Sequence, residues 1–201
     1  GIGDVVDVEG CDRAAAALRR DGTVWMWGSN KEGQLGVGDT EPRSRPTQVA
    51  GLAGVTRIRA SDYGSMVRLA DGSWRVWGAV GPPMRSGPWT APSVPTALPA
   101  ALVGVVDIDR GIATMADGTV RTWGDNTFGF LGTGQGVDVE VYQPVKVREI
   151  GGIVRVWAGG SRAHAVAADG ALYYWGPTGG SGSPNRVPAV LGRMPVTPGG
   201  Q

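Results

Sequence analysis

The 201-residue chain contains one cysteine, one histidine, two phenylalanines and two lysines, Lys31 and Lys146. A lone Cys11 excludes an internal disulfide and any cysteine-based metal site. As a nucleophile Cys11 has little support, because the single histidine lies far away in the chain. His164 sits between Ala163 and Ala165 with no nucleophile or acid beside it, which points to a packed side chain rather than a catalytic base. The formal charge is +1 and the arginines are scattered, so no field gathers nucleic acid or an anionic membrane. The longest uncharged stretch, Ser86 to Val106, could span a bilayer by length. It carries Pro88, Pro92, Pro95 and Pro99, which a membrane helix does not tolerate. No signal-peptide pattern opens the chain, and Gly1 in place of Met suggests a processed or trimmed start.

What the chain has in excess is glycine, 35 residues, with 14 prolines and 8 tryptophans. Gly and Pro at this density break long helices. Their placement is periodic. Asp21-Gly22, Asp71-Gly72, Asp117-Gly118 and Asp169-Gly170 each precede a Trp-Gly pair, at Trp27, Trp77, Trp123 and Trp175. A short apolar run starts at Val5, Val55, Val105 and Ile153. Four units result, approximately 1–53, 54–103, 104–151 and 152–201, and together they form a single repeat domain over 1–201.

Each unit reads as strands. Asp-Gly between two extended segments predicts a hairpin with a type I′ turn, and the β-branched and aromatic residues after it suit a pleated surface. A fourth extended segment, around Pro46 to Leu52 and Pro144 to Ile150, fits an outer edge strand that can spare a donor. Four short strands per unit predict an all-β fold, a β-propeller of four-stranded blades with four repeat units. Such an array leaves raw edges. It is a partial ring, a ring completed by a second copy or a missing segment, or a tight closure of four blades.

The stretch from Asp21 to Gly38, DGTVWMWGSNKEGQLGVG, resembles the repeat of the regulator-of-chromosome-condensation family. Asp117 to Gly134, DGTVRTWGDNTFGFLGTG, repeats it, while the second and fourth units keep only Asp-Gly and Trp-Gly. The resemblance implies propeller blades and protein–protein recognition through loops on one face. The family usually has seven blades, and it tends to place a histidine seven residues before Asp-Gly. Here those positions hold Ala14, Gly64, Arg110 and Arg162. Light-sensing relatives use a Gly-Trp-Arg-His-Thr sequence that this chain lacks, so that activity is not carried over. Neither is nucleotide exchange, which depends on loops and a fuller ring.

Trp27, Trp77, Trp123 and Trp175 occupy one equivalent position and predict a repeated packing layer. Trp25, Trp74, Trp89 and Trp157 are not equivalent, and some could be exposed for binding sugars or a partner protein. In the first strands, alternation places Val5, Asp7 and Glu9 on one face, with Arg57 and Arg59, Asp107 and Asp109, and Arg155 and Trp157 at the matching positions. The charge therefore alternates unit by unit, and Asp7, Arg57, Asp107 and Arg155 are expected to pair between blades. The other face, Val6, Val8, Thr56, Ile58, Val106, Ile108, Val154 and Val156, reads as core.

The glycine loops lack the Gly-Lys-Ser/Thr ending and following helix of a phosphate cradle, and no calcium-loop spacing occurs. No cofactor and no metal is expected. The leading reading is a non-catalytic protein–protein interaction module that binds a protein partner through the loops after the first strands, self-association being a separate means of completing the ring. Those loops contain Asp12, Arg13, Asp62, Tyr63, Ser161 and Arg162. The alternatives are a carbohydrate-binding or adhesive domain presenting Trp74 or Trp89, and an enzyme using Asp7, Glu9, Asp107 and Asp109 as paired carboxylates.

Overall fold

The structure is a computed structural model that describes residues 1–10, 13–61, 64–79, 93–98, 100–134, 140–159, 162–177 and 185–193. The β-branched and aromatic runs flanking each Asp-Gly form strands, and each repeat becomes a four-stranded antiparallel sheet joined in sequence order. Blade 1 contains β1 (Val5–Gly10), β2 (Ala14–Arg19), β3 (Val24–Gly28) and β4 (Arg43–Gln48). Blade 2 contains β5 (Val55–Ala60), β6 (Gly64–Leu69), β7 (Trp74–Gly78) and β8 (Thr96–Ala97). Blade 3 follows with β9 (Val105–Asp109), β10 (Ile112–Met115), β11 (Val120–Asp125) and β12 (Glu140–Lys146). Blade 4 holds β13 (Ile153–Gly159), β14 (Arg162–Ala167), β15 (Ala171–Gly176) and β16 (Asn185–Arg193). Pro46 and Pro144 fall in β4 and β12, outer strands bonded on one side only, where a missing N–H costs least.

The chain divides into two compact units, Gly1–Ala100 with blades 1 and 2, and Ala101–Gln201 with blades 3 and 4. In each unit the second blade packs on the first. Ala14, Ala16, Leu18, Val24, Met26 and Leu35 of blade 1 bury Val55, Ile58, Val67 and Trp77 of blade 2. Ile112, Val120, Phe130 and Leu131 of blade 3 bury Ile153, Val156, Ala163, Ala165 and Trp175 of blade 4.

The Asp-Gly hairpins form, with a different turn from the one expected. Among the described residues, only Asp4 and Glu149 combine a side chain with positive φ. Asp21 therefore keeps negative φ, and Gly22 alone enters the left-handed region at +79°. The Arg19 carbonyl accepts from Gly22 N at 2.9 Å, and Arg19 N donates to the Thr23 carbonyl at 2.9 Å. This closes a three-residue loop, a type I turn followed by a left-handed glycine. The aspartate selects it by accepting from the amide two residues ahead, at Thr23, Ser73, Thr119 and Ala171.

The alternation expected in the first strands is broken. Register shifts fall between Val5 and Asp7, Val55 and Arg57, and Ile153 and Arg155, with a matching shift in blade 3. A bulge at the second residue turns that side chain outward. Val6, Thr56, Val106 and Val154 are accordingly exposed, not core. Of the fourth residues, Ile58, Ile108 and Val156 are buried, while Val8 is 67% exposed. Val8 pairs with Ala17 on the side of blade 1 turned away from blade 2, so no apolar surface of its own unit covers it.

Candidate functional site

The first strands β5 and β13 are inner edges, hydrogen-bonded on one side only, so alternate amides lack a ladder partner. In unit 2 those amides meet carboxylates from the neighbouring blade. Asp107 Oδ2 accepts from Val156 N at 3.0 Å, and Asp109 Oδ2 accepts from Ala158 N at 3.1 Å. The two aspartates are two residues apart, the same period as the amides they serve. Arg110 completes a clamp by donating from Nη2 to the Ala158 carbonyl at 2.8 Å. In unit 1 the neighbouring blades are joined by an ion pair, Arg59 Nη1 to Glu9 Oε1 at 3.0 Å. Asp107 is buried, Asp7 and Arg57 are partly buried, and Arg155 is exposed. Charge patterning alone does not reveal these acid-to-backbone bonds, because it counts side-chain charges and leaves out the donors of an inner edge strand.

A second joint links each odd blade to the next. The loop after β3 is pinned by Asn30, whose Oδ1 accepts from Leu35 N at 2.9 Å, and Asn126 does the same for Leu131 N at 3.0 Å. These loops lie over the indoles of the following blade. Trp77 Nε1 donates to the Gln34 carbonyl at 2.8 Å, and Trp175 Nε1 donates to the Phe130 carbonyl at 2.6 Å. Trp77, Trp123 and Trp175 are buried, and Trp27 is half-buried.

Of the residues expected to face a partner, Arg13 and Arg162 are exposed, and Arg162 Nε donates to the Pro177 carbonyl at 2.7 Å. Asp12, Asp62, Tyr63 and Ser161 lie outside the described residues, as do Cys11 and Trp89. Trp74 is only 3% exposed, which corrects the expectation of a sugar-stacking surface there. Trp25 is half-buried, with Nε1 donating to Thr23 Oγ1 at 3.2 Å. Trp157 stacks on His164 with ring centroids 5.2 Å apart and planes 4° from parallel. Tyr174 is the next residue in that cross-strand row, which only strand register reveals. Burial holds the His164 pKa below its usual range, and the charge of Arg162 adds to the effect. Among the described residues, no group of three or more His, Cys, Asp or Glu could hold a metal ion. No helix there is long and apolar enough to cross a membrane.

Four-stranded antiparallel sheets, each following the next in sequence order, define the blade class of all-β repeat proteins. Residues 21–68 and 117–167 match the regulator of chromosome condensation (RCC1) repeat, and a second model of that repeat matches residues 5–34. The chain belongs to the RCC1 repeat family. It is 32% identical over 180 residues to the ultraviolet-B receptor UVR8 of Arabidopsis thaliana, covering 83% of this chain and 40% of the receptor. It is 31% identical over 172 residues to the E3 ubiquitin-protein ligase HERC2 of Homo sapiens, covering 80% of this chain and 4% of the ligase. Among solved structures, yeast RCC1 (Prp20) bound to Kap60 superposes with a TM-score of 0.76 at 18% identity, over 96% of this chain and 50% of that one. Human WBSCR16 gives 0.73 at 22% identity, over 93% and 52%. The chain thus spans about half the length of these solved relatives, and less of the curated ones.

Proposed function

We propose that the chain is a non-catalytic protein-interaction module whose loops after the first strands engage a protein partner. The observation that carries this reading is how the site chemistry is used. The Asp107 and Asp109 carboxylates, the strongest candidates for acid–base work, serve the backbone amides of the next blade. The Trp77 and Trp175 indoles are likewise buried against blade loops. Exposed charge remains at Arg13 and Arg162, at the turns where Asp12, Asp62, Tyr63 and Ser161 are also placed by sequence. Arg and Tyr are among the residue types that anchor protein interfaces. Yeast RCC1 (Prp20), which shares the fold, is bound to Kap60 in its solved complex, and another structural study of Prp20p concerns its binding to Gsp1p and histones. No cofactor or metal enters the reading.

A photo-crosslinking residue placed at Tyr63 or Ser161 tests it. Capture of one defined protein, lost on Arg13→Glu with Arg162→Glu, is the expected result. Glycan-array binding without protein capture would establish the carbohydrate reading instead.

A further inference from the structure

We infer that the cooperative unit of this fold is a pair of blades, an odd blade latched onto the even blade that follows it, and that each pair opens on its own.

The latch has three parts, and each occurs in both pairs. The hairpin glycine of the odd blade receives the start of the next inner strand. Val55 N donates to the Gly22 carbonyl at 3.3 Å, and Ile153 N donates to the Gly118 carbonyl at 3.0 Å. The fit is close, since a Cβ at Gly22 would come within 3.1 Å of Gly54, and one at Gly118 within 3.0 Å of Gly152. The loop after the odd blade's third strand accepts from the indole of Trp77 or Trp175. Acidic side chains of the odd inner strand reach the even one, Glu9 to Arg59 in one pair, Asp107 and Asp109 to the Val156 and Ala158 amides in the other.

Even blades are built without these parts. A Cβ at Gly72, the matching hairpin glycine of blade 2, would meet within 4 Å only Arg68 Nη2 of its own blade. Three residues after the repeated tryptophan, the odd blades carry Asn30 and Asn126, whose Oδ1 atoms pin the loop. The even blades carry Val80 and Thr178 there, and neither has a carboxamide. At the acidic positions of the odd inner strands, the even blades hold Arg57 and Arg59, and Arg155 and Trp157. Arginine and tryptophan side chains donate hydrogen bonds and accept none, so they cannot serve the edge amides of a following strand.

Strong inter-blade bonds therefore recur with a period of two blades. Burial follows the same period, with one apolar cluster joining blades 1 and 2 and another joining blades 3 and 4. The stability of a repeat array is a sum of repeat and nearest-neighbour terms, so alternating latches set the boundaries of its units. A segment with its own core and latches opens at a free energy of its own.

Hydrogen exchange of the whole chain, read by nuclear magnetic resonance at matched amides, tests the inference. Val49 N and Val147 N donate to the Val24 and Val120 carbonyls, at one equivalent position of blades 1 and 3. Val67 and Ala165 are buried in the second strands of blades 2 and 4, again at one equivalent position. Asp107→Ala should quicken exchange at Val147 and Ala165 by about fivefold to about 150-fold, as loss of a buried acceptor does, and leave Val49 and Val67 unchanged. Asn30→Ala should do the reverse. Quickening at all four amides in either variant overturns the inference. So does quickening confined to the blade that carries the change, or at none of the four. Where Asp107→Ala unfolds its own pair completely, Val49 and Val67 should still stay protected. Loss of their protection would make the whole chain one unit.

Discussion

Trp77 donates its indole N–H to the Gln34 carbonyl at 2.8 Å, and a Cβ on Gly36 would come within 2.6 Å of the same nitrogen. The glycine is fixed twice over, because its φ of +68° also disfavours a side chain. Blade 2 can seat its tryptophan only because the loop of blade 1 has no side chain at that point. Gly132 stands in the same relation to Trp175.

Gly36→Ala is expected to destabilise the protein through left-handed strain of about 1–2 kcal/mol and overpacking of about 1–3 kcal/mol. Gly51→Ala shares the positive φ but meets no atom within 4 Å, so strain alone should apply. Urea titrations of the two variants, followed by tryptophan fluorescence, separate the terms. Equal midpoints would show that the indole contact contributes nothing.

Asp107→Ala leaves Val156 N without its carboxylate acceptor in a buried joint, at an expected cost of about 1–3 kcal/mol. Asp107→Asn keeps an acceptor oxygen and should cost less. Hydrogen exchange at the Val156 amide checks the mechanism, since it should quicken in the alanine variant more than in the asparagine one.

The Glu9–Arg59 pair is partly exposed, so a double-mutant cycle should return a coupling of about 0–1 kcal/mol. That coupling should shrink further in high salt. A coupling unchanged by salt would place the pair in a drier setting than its exposure indicates.

Asp21, Asp71 and Asp117 have pKa values held below the aspartate range, first by side-chain hydrogen bonds from Thr23, Ser73 and Thr119, then by the backbone amides of the same residues. A depressed folded pKa stabilises above the unfolded value and is lost as pH falls through the folded one. Thermal stability should therefore decline below about pH 4. Replacing all three aspartates by asparagine should flatten that decline.

His164 has the same sign of pH dependence for a different reason. Its lowered pKa means that protonation favours the unfolded chain, so stability should fall as pH drops below about 6.5. Nuclear magnetic resonance titration should place the imidazole below that value. Arg162→Ala should restore only part of the shift, because burial is the larger cause.

Much of this was legible in one dimension. Asp-Gly and Trp-Gly in register, with Pro in the fourth segment, specify blades, because turn chemistry and edge tolerance are local properties of the chain. The sequence by itself determined the strand order and the hairpin positions. The turn type depended on where the Asp21 carboxylate found its donor, at the Thr23 amide and hydroxyl. The fates of Val6 and Val8 depended on a bulge and on which side of blade 1 received blade 2. Only the tertiary structure assigned Asp107 to Val156 N and Trp77 to the Gln34 carbonyl, since both bonds join residues more than forty positions apart. Local sequence sets each blade, while inter-blade bonds follow from which edge donors and loop carbonyls packing brings into reach.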